Sequence, residues 1–144
     1  MDAQAKFQAL LSKEGIRHFT AAEVFFRGGS NARLQINTDP PEEMWPKIIP
    51  TLKVLDKLRD KLAYPIKLLS IYRAPAYNRA IGGETHSYHM RFQAVDFHCD
   101  SNNPQVWANA LREMRTRGEF LGGIGQYGSF VHVDTRGYNA SWQG

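Results

Sequence analysis

Ser87-Tyr88-His89-Met90-Arg91-Phe92-Gln93-Ala94-Val95-Asp96 sets an imidazole and a carboxylate seven residues apart, and its second half runs on to Phe97 with the alternation of a half-buried strand. Asp96 is thereby placed at a fixed depth on a rigid element. A second short β-like run, Phe130-Val131-His132-Val133-Asp134, puts His132 and Asp134 on one face, because strand residues two apart point the same way. His89, Asp96 and His132 meeting across two strands would form an open metal site of three protein ligands, with the fourth position left to water, as in catalytic zinc centres. Carboxylate and imidazole also suit other metals. A surface pair or a satisfied core hydrogen bond gives the same spacing.

The chain around these residues is long enough for one domain with a core of its own, and its 144 residues are read as a single domain, 1–144. Composition is that of a globular protein: 42% hydrophobic and 22% charged residues argue against disorder. The one cysteine, Cys99, cannot form an internal disulfide, and three residues from Asp96 it is a minor zinc candidate. Net charge is +4, with Lys53, Lys57, Arg59 and Lys61 interleaved with Asp56 and Asp60 as on a solvated helix face; no nucleic-acid stripe is formed. No stretch approaches the ~20 apolar residues of a membrane span.

Upstream, Asp2 caps a helix to about Lys13, and Thr20-Ala21-Ala22-Glu23 is a capping box opening a short helix through Phe26. Leu34 and Ile36 alternate within 31–39. A long helix is expected over about Glu42 to Leu62, kinked or divided at Pro50. Ile66 to Tyr72 reads as a buried central strand that ends in Arg73, a mobile cation able to reach a cleft. Pro75 starts one or two helical turns, and a further helix from about Asn103 to Arg117 turns Val106, Trp107, Ala110, Leu111 and Met114 inward. Strands follow around Ile124 to Tyr127 and at His132. The expected fold is α+β: a small, largely antiparallel sheet with helices packed on one face and the metal site in the opposite cleft.

Ser87, His89, Ala94, Asp96 and His132 match the Ser-x-His-x-x-Gly-x-Ala-x-Asp signature and later His of the M15 zinc D,D-peptidases, and the chain resembles that family. Ser70-Ile71-Tyr72-Arg73 resembles the family's Ser-x-Tyr-Arg segment, while Gly122-Gly123-Ile124-Gly125 and His18 to Phe25 are similar to its D-Ala-D-Ala carboxypeptidase-like branch. The resemblance spans roughly 18–138 and implies a Hedgehog/D,D-peptidase-like fold. It further implies one Zn²⁺ held by His89, Asp96 and His132, Arg73 holding a substrate carboxylate or developing oxyanion, and Ser87 hydrogen-bonding substrate. Two positions depart from the pattern. The signature Gly is Phe92, which suggests that the loop turns here without a positive φ, and the Glu that serves several members as base is Ser129.

The implied activity is zinc-dependent hydrolysis of peptidoglycan stem peptides at D-Ala, by a D,D-carboxypeptidase or an endolysin-like endopeptidase. A non-catalytic wall- or protein-binding module and a phage structural component are the alternatives. Asp134, sharing a face with His132, could take the proton or orient the imidazole; His98 and His86 stand in reserve. A monomer is expected. Because Met1 to Gln8 holds no apolar leader segment, action in the periplasm or wall would need another route, such as a phage holin, or a trimmed chain.

Overall fold

In the computed structural model, which describes residues 1–144, helices α1 (Ala3–Lys13), α2 (Ala21–Val24) and α3 (Asn31–Leu34) precede a 3₁₀ helix, Glu42–Ile48, and α4 (Ile49–Leu62). Then come β1 (Ile66–Ser70), α5 (Pro75–Ala80), β2 (Ala94–Cys99), α6 (Pro104–Thr116), β3 (Gly123–Gln126), β4 (Val131–Asp134) and β5 (Ala140–Gln143). The five strands form one sheet in the order β1-β2-β4-β3-β5, antiparallel except for the parallel pair β3/β5. The fold is the expected α+β type.

Alternation divides the sheet into two chemistries. Val95, Phe97, Val131, Val133 and Ile124 are fully buried and join Leu52, Leu55 and Leu58 of α4 and Trp107, Leu111 and Met114 of α6 in one core. On the other face the pairing register lines up Ser70, Asp96, His132, Gly125 and Trp142 in a single row across all five strands. A transverse row of this kind is what brings residues far apart in sequence within bonding distance.

Local signals explain most of the helices. Asp2 accepts from Ala5 N at 2.8 Å, and Thr20 and Glu23 complete the capping box. Phe7 of α1 lies 4.9 Å from Phe25, 5.3 Å from Trp45 and 6.1 Å from Phe92 between ring centroids, so the N-terminal helices close one end of the core. No helix is long and apolar enough to cross a membrane.

The expected division of the 42–62 helix at Pro50 is present: Pro46 and Pro50 both lack an N–H, a 3₁₀ helix ends at Ile48, and the α ladder begins at Ile49, with Pro50 in its first turn. Other expectations need correction. Residues 31–34 form a helical turn, and Ile36 is exposed. Strand β1 lies at the edge of the sheet; its apolar look comes from Ile66 and Leu68, which face the core, and from Ile71 and Tyr72, buried beyond its end. Val106 points outward at 38% exposure, since Asn103 caps the helix there and the inward stripe starts at Trp107.

Phe92 does take a positive φ, 55°. A left-handed non-glycine residue costs roughly 1–2 kcal/mol, and the fully buried ring, packed edge-on to Tyr72 at 6.1 Å, offsets it with about 1.5–3 kcal/mol of burial.

Candidate metal centre

His89 enters the site from a compact turn: its N–H donates to Ser87 Oγ at 3.2 Å, and its own carbonyl accepts from Arg73 N at 3.2 Å. The ring is held from behind, with Nδ1 2.7 Å from the carbonyl oxygen of Ile71. A carbonyl only accepts, so Nδ1 carries the proton and Nε2 keeps its electron pair. That pair faces Asp96 Oδ1 at 3.1 Å.

His132 is held the same way from the opposite side. Its Nε2 donates to Asp134 Oδ2 at 2.7 Å, leaving Nδ1 directed at the same Asp96 Oδ1, 2.9 Å away. His89, Asp96 and His132 are all buried, and their ligand atoms lie within 4.8 Å of one another. With both rings neutral, three electron-rich atoms converge on one point. A metal cation, or a proton on His132, balances them. Burial opposes charge on both imidazoles; at His89 it prevails and lowers the pKa, while at His132 the Asp134 and Asp96 carboxylates outweigh it and raise the pKa. Burial likewise disfavours the Asp96 anion, but His89 and His132 hold its carboxyl well below the usual range. The donor set, with each imidazole anchored through its far nitrogen, fits a divalent metal of the zinc class.

Asp134 is sealed away from solvent. Oδ1 accepts from Gly123 N, Arg136 N and Arg136 Nε, and Oδ2 accepts from Arg136 Nη2 at 2.8 Å as well as from His132. Although burial works against its charge, His132 and Arg136 keep its carboxyl strongly acidic. Glycines make this packing possible. A side chain at Gly123 would meet Asp134 Oδ2 at 2.7 Å and Arg136 Nη2 at 2.8 Å, and one at Gly125 would collide with the Trp142 indole, which lies 5.0 Å from the His132 ring.

Arg73 is anchored, in contrast to the mobile cation expected from its position. Nε donates to Ser70 Oγ at 3.1 Å, Nη1 to Asn78 Oδ1 at 3.3 Å and Nη2 to Asp96 Oδ2 at 3.2 Å. It still lines the cleft of about 1130 Å³ that opens over the three ligand atoms, as do Ser87, Glu84, His86, Arg91, Arg136 and Tyr138.

A model of the peptidase M15 family matches residues 17–134. The chain belongs to the peptidase M15 family. M15 peptidases are metallopeptidases, generally zinc-dependent, and the matched span holds His89, Asp96 and His132. No match is found among curated proteins. In this M15 chain Ser129 is exposed on the turn before β4, outside the cleft lining, and its carbonyl accepts from His98 Nδ1 at 2.8 Å. His98, whose Nε2 lies 3.4 Å from Asp100, is also outside the cleft; His86 is on it, exposed and without a hydrogen-bond partner. Cys99 faces the core, away from Asp96. Arg136 and Trp142 escaped the sequence reading. The Asp134-Thr135-Arg136 spacing was the available signal for the first, since a residue two beyond a strand-end carboxylate can fold back on it.

Proposed function

We propose that this chain is a zinc-dependent peptidase of the D-Ala-D-Ala carboxypeptidase-like branch, hydrolysing peptidoglycan stem peptides at D-Ala as a D,D-carboxypeptidase or an endolysin-like endopeptidase. The observation that carries the reading is the meeting of His89 Nε2, Asp96 Oδ1 and His132 Nδ1 at the floor of an open cleft. A zinc ion held by these three atoms would supply a Lewis acid and would bring the pKa of a bound water to about 7. The Ile71 carbonyl and Asp134 keep the two rings in the tautomers that turn an electron pair toward the site.

The remaining roles follow from what each side chain has free. Arg73 uses one hydrogen on each of its three nitrogens to hold its place; the remaining Nη hydrogens can receive a substrate carboxylate or a developing oxyanion. Ser87 Oγ accepts from His89 N and keeps its hydroxyl hydrogen for substrate. Asp134 takes the orienting role, because five donors already occupy a carboxylate that no solvent reaches. Proton transfer then falls to groups on the cleft wall, of which Glu84 and His86 are exposed and unpartnered. Such a substrate places the protein's action in the periplasm or wall.

Purified peptidoglycan incubated with zinc-loaded protein tests the reading. Release of D-Ala marks a carboxypeptidase, and new amino termini mark an endopeptidase. The position of Ser129, outside the cleft where other members carry a Glu, favours one second reading: a module that binds wall through the same cleft without cutting it. Sedimentation with peptidoglycan and no product of either kind would establish that second reading.

A further inference from the structure

Asn78, on α5, is 2% exposed and makes contacts that the metal ligands alone do not explain. Its side-chain carbonyl accepts from Arg73 Nη1 at 3.3 Å, and its side-chain N–H donates to the Glu84 carbonyl at 2.8 Å. Its backbone carbonyl accepts from Gly83 N, also at 2.8 Å. One amide therefore touches the guanidinium that grips Asp96 Oδ2 and the loop that forms the cleft wall. We infer that Asn78 is a positioning residue: it holds Arg73 on Asp96 so that only Oδ1 turns toward the imidazoles, and it fixes the 83–87 loop at the same time.

The chemistry calls for Asn at this place. A buried side chain between a cation and a carbonyl must accept on one side and donate on the other. Asp would keep the acceptor and set an oxygen against the Glu84 carbonyl; Leu, of similar shape, would leave both partners unsatisfied. Gly83 shares the constraint. A methyl group there would overlap Asn78 Oδ1 and come 3.1 Å from Arg73 Nη1, although the backbone at Gly83 has no positive φ to hinder alanine. The inference rests on the peptidase reading only in taking Asp96 as a metal ligand.

The test is zinc affinity, by competition with a chromophoric chelator, for wild type, Asn78→Ala, Asn78→Asp and Gly83→Ala, combined with amide hydrogen exchange of the metal-free proteins. Direct partners of metal ligands are worth about 10- to 100-fold in affinity; Asn78 acts one contact further out, through Arg73, and Asn78→Ala and Gly83→Ala are expected to lose about 3- to 10-fold. Asn78→Asp should bind zinc nearly as wild type does while its 83–87 amides exchange faster, as they should in Asn78→Ala. Should Asn78→Ala fail to fold, Gly83→Ala, at a surface loop position, carries the decision. Wild-type affinity in every folded variant, or equal weakening by Ala and Asp at position 78, would overturn the assignment. Zinc binding with the expected shifts but no hydrolysis of peptidoglycan would leave Asn78 in its role and remove the peptidase reading instead.

Discussion

Asp134 Oδ2 lies 2.7 Å from His132 Nε2, while Arg136 grips both oxygens of the same carboxylate from its other side. The imidazole, the carboxylate and the guanidinium thus form a chain that ends on the metal-facing nitrogen of His132. The carboxylate at the middle of that chain is closed to a substrate, while the His132 ring and Arg136 reach the cleft.

Asp134→Asn is therefore expected to act on the metal. Zinc affinity should fall about 10- to 100-fold, and excess zinc should restore most activity. A variant that keeps full zinc yet loses about 10² or more in kcat would make Asp134 the base instead. Chelator competition and steady-state kinetics on the same preparation separate the two.

Phe92 supports an inverted order of stabilities. At its φ of 55° glycine is unstrained and alanine is not. Both truncations forfeit the packing against Phe7 and Tyr72, worth about 3–5 kcal/mol for Phe→Ala. Phe92→Gly should nevertheless be more stable than Phe92→Ala by about 1 kcal/mol. Urea unfolding measures the difference, and an alanine variant more stable than the glycine variant would show that the loop relaxes out of the left-handed region.

Burial pushes the Cys99 thiol up to about 12, with Asp100 adding to the shift and Arg59 opposing it. A raised pKa leaves the thiol neutral through the whole range in which the native protein is handled. Iodoacetamide should accordingly fail to label native protein at pH 8 and should label it fully in denaturant. Labelling of the native state would mean that the strand end around Cys99 opens.

The parts of the site legible in the sequence are those carried by strands. Asp96 and His132 stand opposite each other because two alternating runs pair in antiparallel register, and alternation is visible in a sequence. Residues 140–143 do alternate, Ala140 and Trp142 half-buried against exposed Ser141 and Gln143, but four residues with Trp142 as the one strong strand former are too short a run to read as a strand. The apolar run 66–72 overstated its depth in the sheet, because sequence alone does not distinguish burial within a strand from burial just past its end. Arg136 and Asn78 act through hydrogen bonds set by loop and helix placement, which periodicity does not encode.

The central claim is that His89, Asp96 and His132 hold one zinc ion on which peptide hydrolysis depends. The most direct measurement is metal content by mass spectrometry on purified, zinc-reconstituted wild type, His89→Ala and His132→Ala, each also assayed on peptidoglycan. The account predicts about one zinc per wild-type chain, its loss in both variants, and loss of D-Ala or amino-terminus release in parallel. Full zinc in a folded His89→Ala or His132→Ala variant, or hydrolysis that survives removal of the metal, would contradict it.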